Sequence, residues 1–88
     1  MSDFRLRVFY SVAKNLSFTK ASQELFVSQP AVTKHIHELE SMYNVRLFNR
    51  INNKISLTDA GKVMTEHCER ILTEYRKLEY DMHILNNE

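Results

Sequence analysis

The last third of the chain constrains the fold most. From Asp59 to about Asn86 there is no proline, and Met64, Cys68, Ile71, Tyr75, Leu78, Met82 and Leu85 recur at alternating spacings of four and three. That is a heptad stripe, and it predicts one continuous helix. Thr58 is its expected N-cap, and Asp59 places a negative charge at the positive end of the helix dipole. At about 1.5 Å per residue the helix is roughly 42 Å long. A chain of 88 residues builds a body too small to cover all of it. Part of the stripe should therefore meet a second copy of the chain and form a dimer seam. The alternative is a stripe packed wholly on its own domain. Cys68 reads as a small core residue within it, with a Cys68–Cys68 bridge between copies as the other reading.

The preceding residues predict three shorter helices. Phe4, Val8, Phe9, Val12, Ala13 and Leu16 recur at helical spacing over Asp3 to Leu16. Ser17 can cap a second helix over Phe18 to Leu25, with Ala21 and Leu25 on one face. Ser28 can cap a third, from Gln29 to about Tyr43, where Pro30 is tolerated in the first turn. Its inward stripe is Val32, Ile36, Leu39 and Tyr43. Its outward face is polar: Gln29, Thr33, His37 and Glu40 or Ser41, with Pro30 and Lys34 beside them. From Arg46 to Thr58 the period shortens to two, and Asn52-Asn53 separates two β-type runs. Asparagine tolerates the left-handed backbone of a tight turn, so a hairpin is expected. Gly61 and Pro30 stand alone of their kinds, which implies few sharp turns and short connections between helices.

Composition limits the function classes. With 43% apolar and 26% charged residues the chain is an ordinary folding sequence. Up to Thr58 it carries eight lysines and arginines against four carboxylates; from Asp59 onward there are four against seven. A basic head on an acidic tail suggests that the head meets a polyanion. No apolar run approaches the roughly 18 residues that span a bilayer, and the N-terminus lacks a signal-peptide core. One cysteine permits no intrachain disulfide. A cytoplasmic protein without a membrane partner is expected. His35 and His37 lie two apart, which is the wrong spacing for a metal pair on a helix, and His67 and His83 stand alone. There is no nucleophile–base pairing and no glycine-rich phosphate loop, so neither an enzyme nor a cofactor is expected.

Two short helices, a tight link and a polar second helix fit a helix-turn-helix. Glutamine pairs with adenine, lysine with guanine, and a threonine methyl touches thymine in the major groove. The bland alternative is a merely solvated face.

Here the chain resembles a known family. The stretch from Ser17 to Glu40, SFTKASQELFVSQPAVTKHIHELE, is similar to the helix-turn-helix of LysR-type transcriptional regulators. VRLFNR at Val45 to Arg50 and SLTDAG at Ser56 to Gly61 resemble that family's wing and the start of its linker helix. The match is collinear from Phe4 to Leu72. It implies a mainly α fold: a winged helix-turn-helix head over residues 1–58, with three helices and a two-stranded wing, then a dimerising linker helix over 59–88. It assigns base contacts to Gln29, Pro30, Thr33 and Lys34, and places Thr19, Lys20, Ser28 and His35 near phosphates. The wing contributes Arg50, Asn53 and Lys54. Lys34 stands where the family often has arginine, so guanine readout should be looser. Asn53 stands where a minor-groove arginine is common, which leaves that task to Lys54 and Arg50.

The resemblance further implies homodimers on an inverted-repeat promoter site, and an effector-sensing C-terminal domain. The chain stops at Glu88, so that domain is expected to be missing and the chain to be a fragment. Two alternatives stay open: the head of another regulator type, such as the molybdate-responsive regulators, and a dimerisation module that binds no nucleic acid.

Overall fold

A computed structural model describes residues 3–87. The outer limits of the two expected domains, residues 1–2 and 88, lie outside the described residues. In chain order the elements are α1 (Phe4–Asn15), α2 (Phe18–Leu25), α3 (Gln29–Tyr43), β1 (Phe48–Ile51), β2 (Lys54–Leu57) and α4 (Asp59–Asn86). Each helix begins on a side-chain cap. The Asp3 carboxylate accepts from the Arg5 amide at 2.9 Å, Ser17 Oγ from Lys20 at 3.0 Å, Ser28 Oγ from Ala31 at 3.2 Å and Thr58 Oγ1 from Gly61 at 3.0 Å. Each cap satisfies an N–H that has no partner within its own helix.

The helix ends differ from what the scarcity of glycine implied. Leu16, Phe26 and Asn44 all adopt the left-handed conformation, with φ of 48°, 57° and 53°. Left-handed turns are costly for leucine and phenylalanine. They are held by backbone bonds, from Leu16 N–H to Val12 O at 2.7 Å and from Val27 N–H to Ser22 O at 3.0 Å. The second of these closes the α2–α3 turn and fixes the angle between the two helices.

The core is built from Val8, Phe9 and Val12 of α1, Ala21 of α2, Val32, Ile36 and Leu39 of α3, Leu47 and Phe48 at the wing, and Cys68 of α4. Ala21 is fully buried, and its small side chain lets α2 approach its neighbours closely. An aromatic series runs outward from this core. Phe9 meets Phe48 at 5.5 Å between ring centres, and Phe48 meets Phe18 edge-on at 5.9 Å.

Two expectations for α3 are corrected. Tyr43, expected inside, is 57% exposed. It lies in the last turn, where the chain turns away at Asn44, so the helix outlasts the core it packs on. Glu40, expected on the outer face, is half-buried, and its Oε2 accepts from the Leu47 amide at 2.8 Å. Leu47 is fully buried, so its N–H has no water to turn to. Glu40→Ala should cost about 1–3 kcal/mol, the penalty for an orphaned buried donor. Urea unfolding checks this, and an unchanged midpoint would mean that the amide finds another partner.

The wing is an antiparallel pair in the register Phe48↔Leu57, Asn49↔Ser56, Arg50↔Ile55, Ile51↔Lys54. Asn52 and Asn53 both have positive φ, at 54° and 62°, as a two-residue type I′ hairpin requires. Alternation puts Phe48 and Arg50 on one face. Phe48 enters the core, and Arg50 follows it toward α2.

The heptad stripe on α4 divides. Cys68 is 0% exposed within its own head, and Met64 packs against the same core. Leu72, off the stripe, is buried as well. The first turns of α4 thus use the ridge of every fourth residue, Met64–Cys68–Leu72, to cover α1. Cys68 is therefore neither a seam residue nor placed to bridge two copies. Burial pushes its thiol up to about 11, with the Asp3 charge adding to the effect. Beyond Leu72 the helix outruns the head and gives the molecule its 54 × 25 × 20 Å shape. Leu78, Met82 and Leu85 stand 49%, 52% and 60% exposed, with Ile71 and Tyr75 leading up to them.

Candidate nucleic-acid interface

The starts of α2 and α3 and the face of the wing meet around one open groove. Ser17, Phe18 and Thr19 line it from α2, Gln29 and Thr33 from α3, and Arg50, Asn53, Lys54 and Ile55 from the wing. Two of these residues are cations, and no carboxylate is among them. Helix starts carry partial positive charge and unpaired N–H groups, so α2 and α3 reinforce the cations. The groove thus favours an anion.

Gln29, Pro30 and Lys34 are exposed, while Thr33 is half-buried at the bottom of the ridge. These four also line the outer side of α3, together with His37, Glu38 and Ser41. The ridge is neither packed into the core nor covered by α4. It presents donors and acceptors together with a methyl and a cation, which is the repertoire that reads base edges. Gln29 Nε2 donates to Thr19 Oγ1 across the gap between the two helices.

Arg50 is held from below. Its guanidinium lies 4.6 Å from the centre of the Phe18 ring, a cation–π contact that limits where the long side chain can swing. Phe18 carries no polar group and has no periodic signature that marks it as a site residue, so sequence reasoning passed over it. Only the wing's register against α2 reveals its role.

The other expected contacts separate. Ser28 is exposed, but its hydroxyl is occupied as the α3 cap. Lys20 is exposed on the first turn of α2. His35 does not join the groove. It is half-buried on the α1 side, 5.5 Å edge-on from Phe4, with its Nδ1 3.2 Å from Glu38 Oε1. One residue beyond Lys34 turns the helix by about 100°, which carries His35 away from the ridge. His37 returns to the outer face. Among the described residues no His, Cys, Asp or Glu cluster could hold a metal, and no helix is long and apolar enough to cross a membrane.

Fold and groove define a winged helix-turn-helix head. Residues 4–62 match the model of the bacterial regulatory helix-turn-helix proteins of the lysR family. The chain belongs to that family, which closes the molybdate-responsive alternative. It is 52% identical over 68 residues to the probable RuBisCO transcriptional regulator of Trieres chinensis, a match covering 77% of this chain and 22% of that protein. A transcriptional regulator of the LysR family from Eggerthella lenta DSM 2243 superposes with a TM-score of 0.74 at 42% identity, over 78% of this chain and 99% of that one. The CbnR DNA-binding domain, solved in complex with DNA, superposes at 0.83 with 32% identity over the whole of both chains. The chain thus spans about a fifth of the length of the curated relatives it matches.

Proposed function

We propose that this chain is the operator-reading part of a cytoplasmic transcriptional regulator, binding double-stranded DNA by sequence as a homodimer. The observation that carries the reading is the joint exposure of Gln29, Pro30, Thr33 and Lys34 beside a groove lined by Arg50 and Lys54. The solved CbnR complex supports it, since that likeness extends over this whole chain. In use, α3 lies in a major groove with its Gln29 end at the bases, and the wing meets the backbone and adjacent minor groove. Cations supply affinity, and base contacts select the site.

The second copy is proposed to sit along α4. Ile71, Tyr75, Leu78, Met82 and Leu85 form an apolar strip beyond the head. Ile71 also lines a groove with Tyr43, Val63 and Met64, so the strip continues onto the body. Such an area is costly to leave in water. Two heads held by one seam suit an inverted repeat. In the whole regulator an effector bound by a further domain would reset their spacing.

Fluorescence-anisotropy titrations against promoter duplexes at two salt concentrations test the reading. Lys34→Ala should weaken specific binding by about 1–3 kcal/mol and relax preference at one base pair, leaving random DNA little changed. Lys54→Ala should lower affinity on every sequence and reduce the salt slope by about one. Equal losses on both DNAs for Lys34→Ala would remove it from base reading. An unchanged slope would take the wing off the phosphates.

A further inference from the structure

We propose that Thr19 is a positioning residue for sequence reading: its hydroxyl holds the Gln29 carboxamide in the attitude that pairs with adenine. The inference rests on the DNA-binding reading above and assigns Thr19 a task other than a plain phosphate contact. Thr19 is the second residue of α2 and Gln29 the first of α3, and both side chains are exposed. Yet Gln29 Nε2 donates to Thr19 Oγ1 across the helix-turn-helix. The distance between the two backbones is fixed by the α2–α3 turn, through left-handed Phe26 and the Val27–Ser22 bond. The turn thus brings the two side chains within hydrogen-bonding reach.

A free surface glutamine has three side-chain torsions to order before it can dock on a base, and that ordering opposes binding. A bond to Thr19 settles the carboxamide before DNA arrives. It also selects which atoms are left. A carboxamide has two N–H donors and an oxygen with two lone pairs. A bond to Thr19 through the N–H trans to Oε1 leaves the other N–H and Oε1 side by side. They match adenine, which offers N7 as acceptor and the N6 amino group as donor in the major groove. Guanine offers acceptors at both N7 and O6, so Oε1 would face an acceptor. Thr19 therefore sharpens adenine over guanine without touching either base.

The test begins by selecting bound duplexes from a pool with a randomised central segment, using the unmodified chain and Gln29→Ala. The position whose preference Gln29→Ala loses is the Gln29 position. Binding constants are then measured on the enriched duplex and on the same duplex with A·T replaced by G·C there. Both titrations use one protein sample, so the ratio is insensitive to the folded fraction. Thr19→Val, which keeps the shape and removes the hydroxyl, should lower this discrimination by roughly three- to tenfold. Thr19→Ser should restore it, and Thr19→Val should change nothing further in a Gln29→Ala background. If Thr19→Val weakens both duplexes alike and leaves the ratio intact, Thr19 is only a phosphate contact and the proposal is overturned. If Gln29→Ala loses no position, Gln29 reads no base and the proposal falls with it. If the unmodified chain enriches no sequence at all, the DNA-binding reading itself fails.

Discussion

Replacing Gly61 by alanine should lower the melting temperature by roughly 10–20 °C, corresponding to about 2–3 kcal/mol in a domain of this size. Helix preference alone predicts the opposite sign, since alanine is favoured over glycine by about 1 kcal/mol in a helix interior. Packing decides it. A Cβ on Gly61 would collide with the backbone carbonyl of Leu47 and come within 2.9 Å of Leu57 Cδ2. That carbonyl cannot swing away. It accepts from the Thr58 amide at 3.1 Å, while Thr58 Oγ1 donates to Arg46 O at 2.5 Å. The first turn of α4 is thus pinned to the residues leading into β1, and the added carbon must force the two apart. The wing should loosen with it, because β1 and β2 both join that junction. Thermal unfolding followed by circular dichroism is the check, and a raised melting temperature would mean that the junction yields easily.

Placing aspartate at both Leu78 and Met82 should leave the chain monomeric and cut affinity for a two-half-site duplex by roughly 10²–10⁴-fold, the scale of lost avidity. Both side chains lie beyond the head's core and are about half exposed, so the fold of the head should survive. Affinity for a duplex carrying one half-site should change little. Sedimentation equilibrium gives the mass, and paired titrations give the two affinities. A dimer that persists, or an equal loss on both duplexes, would contradict the proposed seam.

Much of this was legible in the residues themselves. Ser17, Ser28 and Thr58 act locally, since a cap needs only its own first turn, and each appears where the sequence places it. Asn52-Asn53 is equally local, because the turn type follows from two residues that accept positive φ. Gln29, Thr33 and His37 share a helix face with Pro30 and Lys34 beside it, and helical period alone brings them together. What stayed hidden depends on partners distant along the chain. Cys68 and Leu85 belong to one stripe by spacing, but only the size of the head says that α4 leaves it near Leu72. Glu40 resembles any surface carboxylate until Leu47 folds back against it. Phe18 gains its part from Arg50, thirty-two residues later. His35 lies one residue from Lys34, and 100° of helix rotation separates their surroundings.

The most direct measurement is a map of backbone amide shifts as duplex DNA bearing the enriched sequence is titrated into the isotopically labelled chain. The largest changes should fall on Ser17 to Lys20, on Ser28, Gln29 and Ala31 to Lys34 (Pro30 has no amide proton), and on Arg50 to Lys54, with Leu78 to Leu85 little affected. Shifts concentrated on α4, or a ridge from Gln29 to Lys34 that does not respond, would contradict the account.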